Sequence, residues 1–557
     1  MLDVPWQPGR PEEGLSPSDT AIDEGAFGRA TRRLGFALVA AVFVVGAFAV
    51  GPLRDVPVVD DWTYAWSVDH LLRTGELRIA EISAVYPVLQ VLWGALFVKL
   101  FGFSFGVLRL STVVVGIAGC WALYLTLREL RCGAVWSLLG ALALAVHPVY
   151  FAFTFSFMTD VPATALTLVS ILFAVQAIER DRPSRLWGAS AFAVAAFLVR
   201  ATAGVIPFVL LAVVDWRRRD RARWAVPILA GLAAIVVGWI AVHRLFGALG
   251  PESGRLEQLA WLTLVLPRNY VEWNFGVLWQ AAIAFAPLLL AATCTRRWLP
   301  VTLIAAALAA LLWAAFGHLP ATLPDWDTWS MQDVGGGRVL ILGMPDPSAW
   351  SERVRPIVLG LGMIAGAALF VSIVSSAAER RRAVALVLVL GAVNLAVVNA
   401  LWLYNDRYYL PLAPTLACAA ALWAARVRAP AAVASVLIAL LWIVAVTGTR
   451  DMLDVNETVA RAAADLETAG VPAWDIDAGW ALNGWRLWAH PERLAPGATR
   501  EYGVPFVTSK TPTSYAIASV LLPDHDVVRV LPLPHSWWQA TDRIYVLRRR
   551  RLPRQDF

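Results

Sequence analysis

The chain has 557 residues, 59% of them hydrophobic and 16% charged, with a mean hydropathy of +0.61 and a formal net charge of +6. Such an apolar composition excludes a soluble protein, and apolar windows long enough to cross a bilayer recur along it, so the chain is polytopic. The positive charge does not point to nucleic acid, because the arginine clusters lie in short loops between apolar runs, where membrane topology accounts for them.

Residues 1–28 are polar and rich in Pro, Glu and Asp, without the basic-then-apolar layout of a cleaved signal peptide, and read as a disordered cytosolic tail. Apolar spans follow near 34–52, 107–126, 134–153, 161–178, 187–200, 203–214, 225–246, 276–294, 299–317, 356–377, 383–402, 410–426 and 430–448, about thirteen helices in a transmembrane domain over 29–448. Arg29, Arg32 and Arg33 precede the first span and basic clusters recur on alternate loops, which sets the N-terminus in the cytoplasm. Tyr86–Phe101 is also apolar, but counting it as a span would reverse every later loop. Pro87, the short run and Lys99 at its end fit a helix lying in or re-entering the outer interface. The two short segments around Arg200 predict a hairpin whose tip reaches the outer half of the membrane.

This topology gives the outer face the loops 53–106, 248–275 and 318–355, together with the turn at Thr154–Asp160 and the stretch 403–409. Residues 449–557 return to soluble composition. A helical stretch at Thr458–Ala469 is followed by β-like runs at Tyr515–Val520, Val527–Leu533 and Arg543–Leu547, which predicts a small α/β extracytoplasmic domain. Cys120, Cys132, Cys294 and Cys418 fall in or beside apolar spans without ligand spacing, so neither disulfides nor structural zinc is expected.

Asp60 and Asp61 lie just beyond the first span, with Trp62 and Tyr64 following as an aromatic wall. An adjacent carboxylate pair at a membrane exit is costly, which suits a site; capping of a short helix near Trp62, or a solvated loop, is the alternative. Asp160 opens the next outer-face helix and Pro162 follows it, so capping and function are both open. Arg200 is the one charge between Trp187 and Val214 and needs an anion, either a phosphate or an outer-face aspartate. Arg407 sits among tyrosines in Tyr404-Asn405-Asp406-Arg407-Tyr408-Tyr409-Leu410-Pro411, as an interfacial anchor or as a second anion contact. Of 27 tryptophans, several flank acids and amides in outer loops, Trp326 among them, a setting that suits sugars as well as a membrane interface.

In their order, these motifs resemble the C-type (GT-C) membrane glycosyltransferases, in the branch of protein O-mannosyltransferases and lipid A aminoarabinose transferases. The resemblance rests on Asp60-Asp61 after the first helix, Lys99-Leu100-Phe101-Gly102 before the helix opening at Arg109-Leu110, Thr159-Asp160, Arg200 with Gly204, and Arg407 to Pro411. It is best over about residues 50–215. It departs at Asp61, where relatives often carry Glu, at Arg200, where Lys is common, and in the Pro-rich interfacial motif, reduced here to Pro87. The resemblance implies an α-helical polytopic enzyme that takes a monosaccharide from a polyprenyl phosphate and passes it, with inversion, to an acceptor hydroxyl on a glycan, protein or lipid. It further implies Asp60 as general base, Asp61 as its support or a donor contact, Asp160 as an orienting group, and Arg200 with Arg407 or Lys99 on the departing lipid phosphate. No cofactor is implied with certainty; the acids allow a divalent metal but show no diagnostic spacing. An oligosaccharide block transferase or polymerase, a sugar-lipid transporter and a non-catalytic sugar-lipid binder are the alternatives.

Overall fold

The computed structural model describes residues 26–83, 85–247, 281–295, 298–316, 349–399, 406–497, 513–533 and 542–550. The helices in chain order are α1 (Ala26–Val50), α2 (Asp61–Thr74), α3 (Val88–Phe101), α4 (Phe105–Glu129), α5 (Ala134–Ala145), α6 (Pro148–Thr154), α7 (Asp160–Glu179), α8 (Arg185–Phe197), α9 (Ile206–Val213) and α10 (Arg221–Phe246). They continue with α11 (Ala286–Thr293), α12 (Trp298–Phe316), α13 (Ala349–Ala377), α14 (Arg382–Asn399), α15 (Ala413–Arg426), α16 (Ala431–Thr468) and α17 (Gly479–Asn483). The chain is a polytopic α-helical membrane protein with a small sheet near its C-terminus.

Of the thirteen spans expected, some fall partly outside the described residues. Among the described residues seven helices are long and apolar enough to cross a membrane, or eight if α5 and α6 form one broken span bent by 65°. His147-Pro148 makes that bend, because proline cannot donate to the preceding turn. The hairpin around Arg200 resolves into α8, a 3-10 turn at Ala201–Val205 and α9, each too short to span alone. The loops 248–275 and 318–355, and Trp326 within the second, lie almost wholly outside the described residues.

Helix α7 packs between α4 and α8. Small residues let the backbones approach: a Cβ on Gly119 would stand 2.9 Å from the Ala165 Cα. The 20 residues of α7 separate Asp160 from Glu179 by roughly 30 Å at 1.5 Å per residue. Glu179 pairs with Arg381 at 2.8 Å, Glu129 at the end of α4 receives Arg180 Nε at 2.9 Å, and Asp215 pairs with Arg382 at 2.7 Å. The basic loops thus meet acids at one end of the bundle while Asp160 opens the other.

After the membrane helices α16 runs on without a break to Thr468, past the position 448 at which the sequence suggested that the soluble part begins. Four strands follow: β1 (Ile476–Asp477), β2 (Tyr515–Ala518), β3 (His525–Pro532) and β4 (Arg543–Arg549). The sheet order is β1-β2-β4-β3, with β1 parallel to β2 and the other pairs antiparallel. Strands β2 to β4 match the runs expected; β1, two residues long, is too short to carry a period. Ile517, Ile544 and Val546 are buried in the main core, which fixes the sheet to the helical body.

Gly484 lies against the face of Trp62, and a Cβ there would overlap the indole. Gly484→Ala is therefore expected to lower stability by about 1–3 kcal/mol, the usual range for overpacking. A thermal midpoint in detergent equal to that of the unmodified protein would contradict this packing.

Candidate active site

The site is built on the segment that joins α1 to α2. This segment is laid across the start of α4, close enough that a Cβ on Gly106 would meet the Leu53 Cα at 2.8 Å. Asp55 Oδ1 accepts the Phe105 N–H at 2.8 Å and Ser104 Oγ accepts the Val107 N–H at 3.1 Å, so both cap α4. Arg109, wholly buried one turn further along, donates to the carbonyls of Pro52 at 3.2 Å and Arg54 at 2.6 Å and to that of Val56. Three backbone acceptors on one guanidinium hold the segment as a clamp. Val59 follows with φ +52°, a left-handed conformation that costs a β-branched residue about 1–3 kcal/mol and that turns the chain into α2.

The two aspartates then part. Asp61 is wholly buried; its Oδ1 accepts the Val58 N–H at 2.8 Å, and its Oδ2 lies 4.0 Å from Arg109. Burial pushes its carboxyl up to about 7, against the opposing pull of Arg109 and of the backbone N–H groups of Val58 and Phe157. Asp61 thus braces the segment from inside the protein. A carboxyl raised on folding contributes its full stability below the usual carboxylate value and loses that contribution as pH rises through about 7. Asp61→Asn keeps the acceptor for Val58 and removes the titration. It is expected to flatten the fall in thermal midpoint between about pH 4 and pH 7; an unchanged slope would assign the fall to another group.

Asp60 occupies the N-cap position of α2 but makes no side-chain cap. Its carboxylate is partly exposed and turns instead toward Arg407, whose Nη2 donates to Oδ2 at 2.8 Å, and toward Trp480, whose Nε1 donates to Oδ1 at 2.9 Å. Arg407 comes from the 3-10 turn Asp406–Leu412 that leads into α15. Asp160 is the first residue of α7, and Thr159 before it makes no side-chain cap. Asp160 Oδ1 accepts from Arg200 Nη1 at 2.7 Å, and the same nitrogen lies 3.2 Å from Thr159 Oγ1. The anion that Arg200 needs is therefore an aspartate here.

The two ion pairs share one neighbourhood. The Tyr408 ring lies beneath both guanidiniums, 5.0 Å from Arg200 and 5.4 Å from Arg407. Tyr64 is buried beside them, its hydroxyl pushed upward first by burial and then by Asp60, with Arg407, Asp160 and Arg200 also acting on it. Helix α3 is tied to the same region through Gln90 Nε2, which donates to the Phe157 carbonyl at 2.7 Å, and through the Leu89 N–H to Leu198 O at 3.2 Å.

Asp60, Tyr64, Asp160, Arg200 and Arg407 thus converge from α2, α7, the α8–α9 hairpin and the turn before α15. Among the described residues, Lys99 and Trp62 do not join them, and Asp61 is turned inward. Lys99 is exposed at the far end of α3, about 13 Å along the helix from Gln90 at 1.5 Å per residue. Trp62 has no exposed face to offer a sugar, because its indole is wholly buried and meets Trp480 and Trp488 edge-on at 5.9 and 5.7 Å. Trp326 lies outside the described residues. Among the described residues no three His, Cys, Asp or Glu side chains gather as metal ligands would.

Sequence reading missed Tyr408 as the shared platform, Arg109 as the clamp and Trp480 as a partner of Asp60. Arg109 carried a signal, a lone arginine one turn inside an apolar helix. Trp480 carried little, since 420 positions separate it from Asp60.

Residues 87–246 match the family described as dolichyl-phosphate-mannose-protein mannosyltransferase. No match to a curated protein was found. Among solved structures, the chain is similar to the crystal structure of ArnT from Cupriavidus metallidurans in the apo state, at 17% identity and a TM-score of 0.39 over 92% of this chain and 97% of that one. It is also similar to the same protein bound to undecaprenyl phosphate, at 16% identity and a TM-score of 0.39 over 94% and 98% of the two chains. The segment 87–246, which supplies Asp160 and Arg200, carries the sequence signature of the mannosyltransferase family, and the resemblance to C-type membrane glycosyltransferases drawn from the ordered motifs is borne out there.

Proposed function

We propose that this protein is an integral-membrane glycosyltransferase that moves a monosaccharide from a polyprenyl phosphate to an acceptor hydroxyl on the outer face of the membrane, with Asp60 as general base. The observation that carries this reading is the conduct of Asp60: placed to cap α2, it leaves the cap unmade and points its carboxylate into a cluster with Arg407, Tyr64, Arg200 and Asp160. The family match supports the donor class, since its description names a sugar on a polyprenyl-type phosphate.

A carboxylate flanked by an arginine stays ionised and can accept the acceptor's proton. As the acceptor oxygen bonds to the anomeric carbon, the bond from that carbon to the phosphate oxygen breaks and negative charge grows on the departing lipid phosphate. Arg200 and Arg407, both fixed over Tyr408, supply positive charge against it. Asp160 holds Arg200 at the helix start until phosphate competes for it. One displacement inverts the anomeric carbon. A cytoplasmic N-terminus and an extracytoplasmic C-terminal domain are part of the proposal.

The test is reconstitution in liposomes with a panel of radiolabelled polyprenyl-phosphate sugars, reading the anomeric configuration of the product by NMR. A product of configuration opposite to the donor is expected. Retention would require a covalent intermediate and would remove Asp60 from the role of base.

A further inference from the structure

The far end of the chain reaches the proposed base. Trp480 donates its indole N–H to Asp60 Oδ1 at 2.9 Å while Arg407 binds Oδ2 at 2.8 Å. The indole is held from several directions. Asp477, in β1, accepts the Gly479 N–H at 3.1 Å and Asn483 Nδ2 at 3.0 Å through its Oδ1, and Asn483 Oδ1 accepts the Ala478 N–H at 2.9 Å, so the turn bearing Trp480 is stapled at both ends. Strand β1 is itself paired to β2. Gly484, immediately after α17, rests on Trp62, and the Trp62 ring meets the Trp480 ring edge-on. An indole is a donor only, so this contact cannot carry the transferred proton; it can fix the carboxylate and favour its charged form.

We propose that Trp480 is a positioning residue for Asp60, through which the C-terminal unit completes the transfer site. The proposal rests on Asp60 being the base. With a donor on each oxygen, the carboxylate cannot turn about Cβ–Cγ without losing both bonds, and its remaining lone pairs are held toward one region. The charged and titratable groups facing Asp60 are Arg407 from the turn before α15 and Asp61 and Tyr64 from α2, and Trp480 adds a neutral donor from α17.

Full-length protein in liposomes would be assayed across about pH 5–9 as Trp480→Phe, which keeps an aromatic ring but lacks the N–H, and as Trp480→His, which restores a ring donor. We expect Trp480→Phe to lower kcat about tenfold, the loss usual for one hydrogen bond to a charged group, with donor KM within about twofold. Its acid limb should move to higher pH, since a donor to the charged form favours the ionised base; Trp480→His should recover part of both. A change in KM alone, with the acid limb in place, would reduce Trp480 to a wall and overturn the proposal. Thermal midpoints of Asp60→Ala, Trp480→Phe and the double variant give an independent reading. Non-additive shifts are expected of bonded partners, and additive shifts would overturn the contact. Absence of transfer by the unmodified protein would sink the glycosyltransferase reading instead, and the midpoint cycle would still decide the contact.

Discussion

Replacing Asp60 by asparagine is expected to lower the rate of sugar transfer by about 10²- to 10⁴-fold, the contribution typical of a positioned general base. The substitution preserves size and leaves an oxygen to accept from Trp480, but an amide cannot take the acceptor's proton and offers Arg407 no counter-charge. The loss should therefore appear in kcat, while the thermal midpoint moves little. Initial rates at saturating donor in liposomes, beside the unmodified protein, measure it. Full activity in Asp60→Asn would end the assignment of Asp60 as base.

The largest effect on the fold is expected from Arg109→Leu, at about 3–5 kcal/mol, the cost usual when one partner of a buried charged constellation is removed. Leucine fills part of the space but donates nothing. The carbonyls of Pro52, Arg54 and Val56 would each lose a partner inside the protein, and Asp61 would lose the guanidinium that lies 4.0 Å from its Oδ2. The released segment is the one that aims Asp60, so activity should fall even in the fraction that remains folded. The thermal midpoint and the monodisperse fraction in detergent are the measurements. A variant as stable as the unmodified protein would show that Asp55 and the Gly106 contact suffice to seat the segment.

Much of this was legible in the sequence because a membrane makes charge expensive. Asp160 and Arg200 stand out against apolar surroundings, and the positive-inside rule alone puts them on one face. That they pair at 2.7 Å follows from the same cost. Strands β2 to β4 were legible by alternation between turn residues. The number of spans was not, because an apolar run of a given composition serves equally as a spanning helix, half of a bent pair such as α5 and α6, or a short hairpin arm such as α8. The adjacent aspartates were given different roles by the resemblance and not by their residue types or spacing: a left-handed Val59 and the clamp of Arg109 send Asp61 inward and leave Asp60 at the surface of the site. Trp480 was hidden for a different reason. Its contact with Asp60 depends on how α16 carries the chain back past the membrane helices to β1, which no local pattern encodes.

If the cluster of Asp60, Arg407, Arg200 and Asp160 is a transferase site, it breaks the bond between a sugar and a lipid phosphate. Its most direct test follows a polyprenyl-phosphate sugar labelled separately in the sugar and in the lipid, in liposomes carrying the purified protein and an acceptor. The two labels should part, with the sugar on the acceptor and free polyprenyl phosphate in equal amount, and should stay together in Asp60→Asn. Labels that remain joined while the lipid crosses the bilayer would make the protein a transporter and contradict the account.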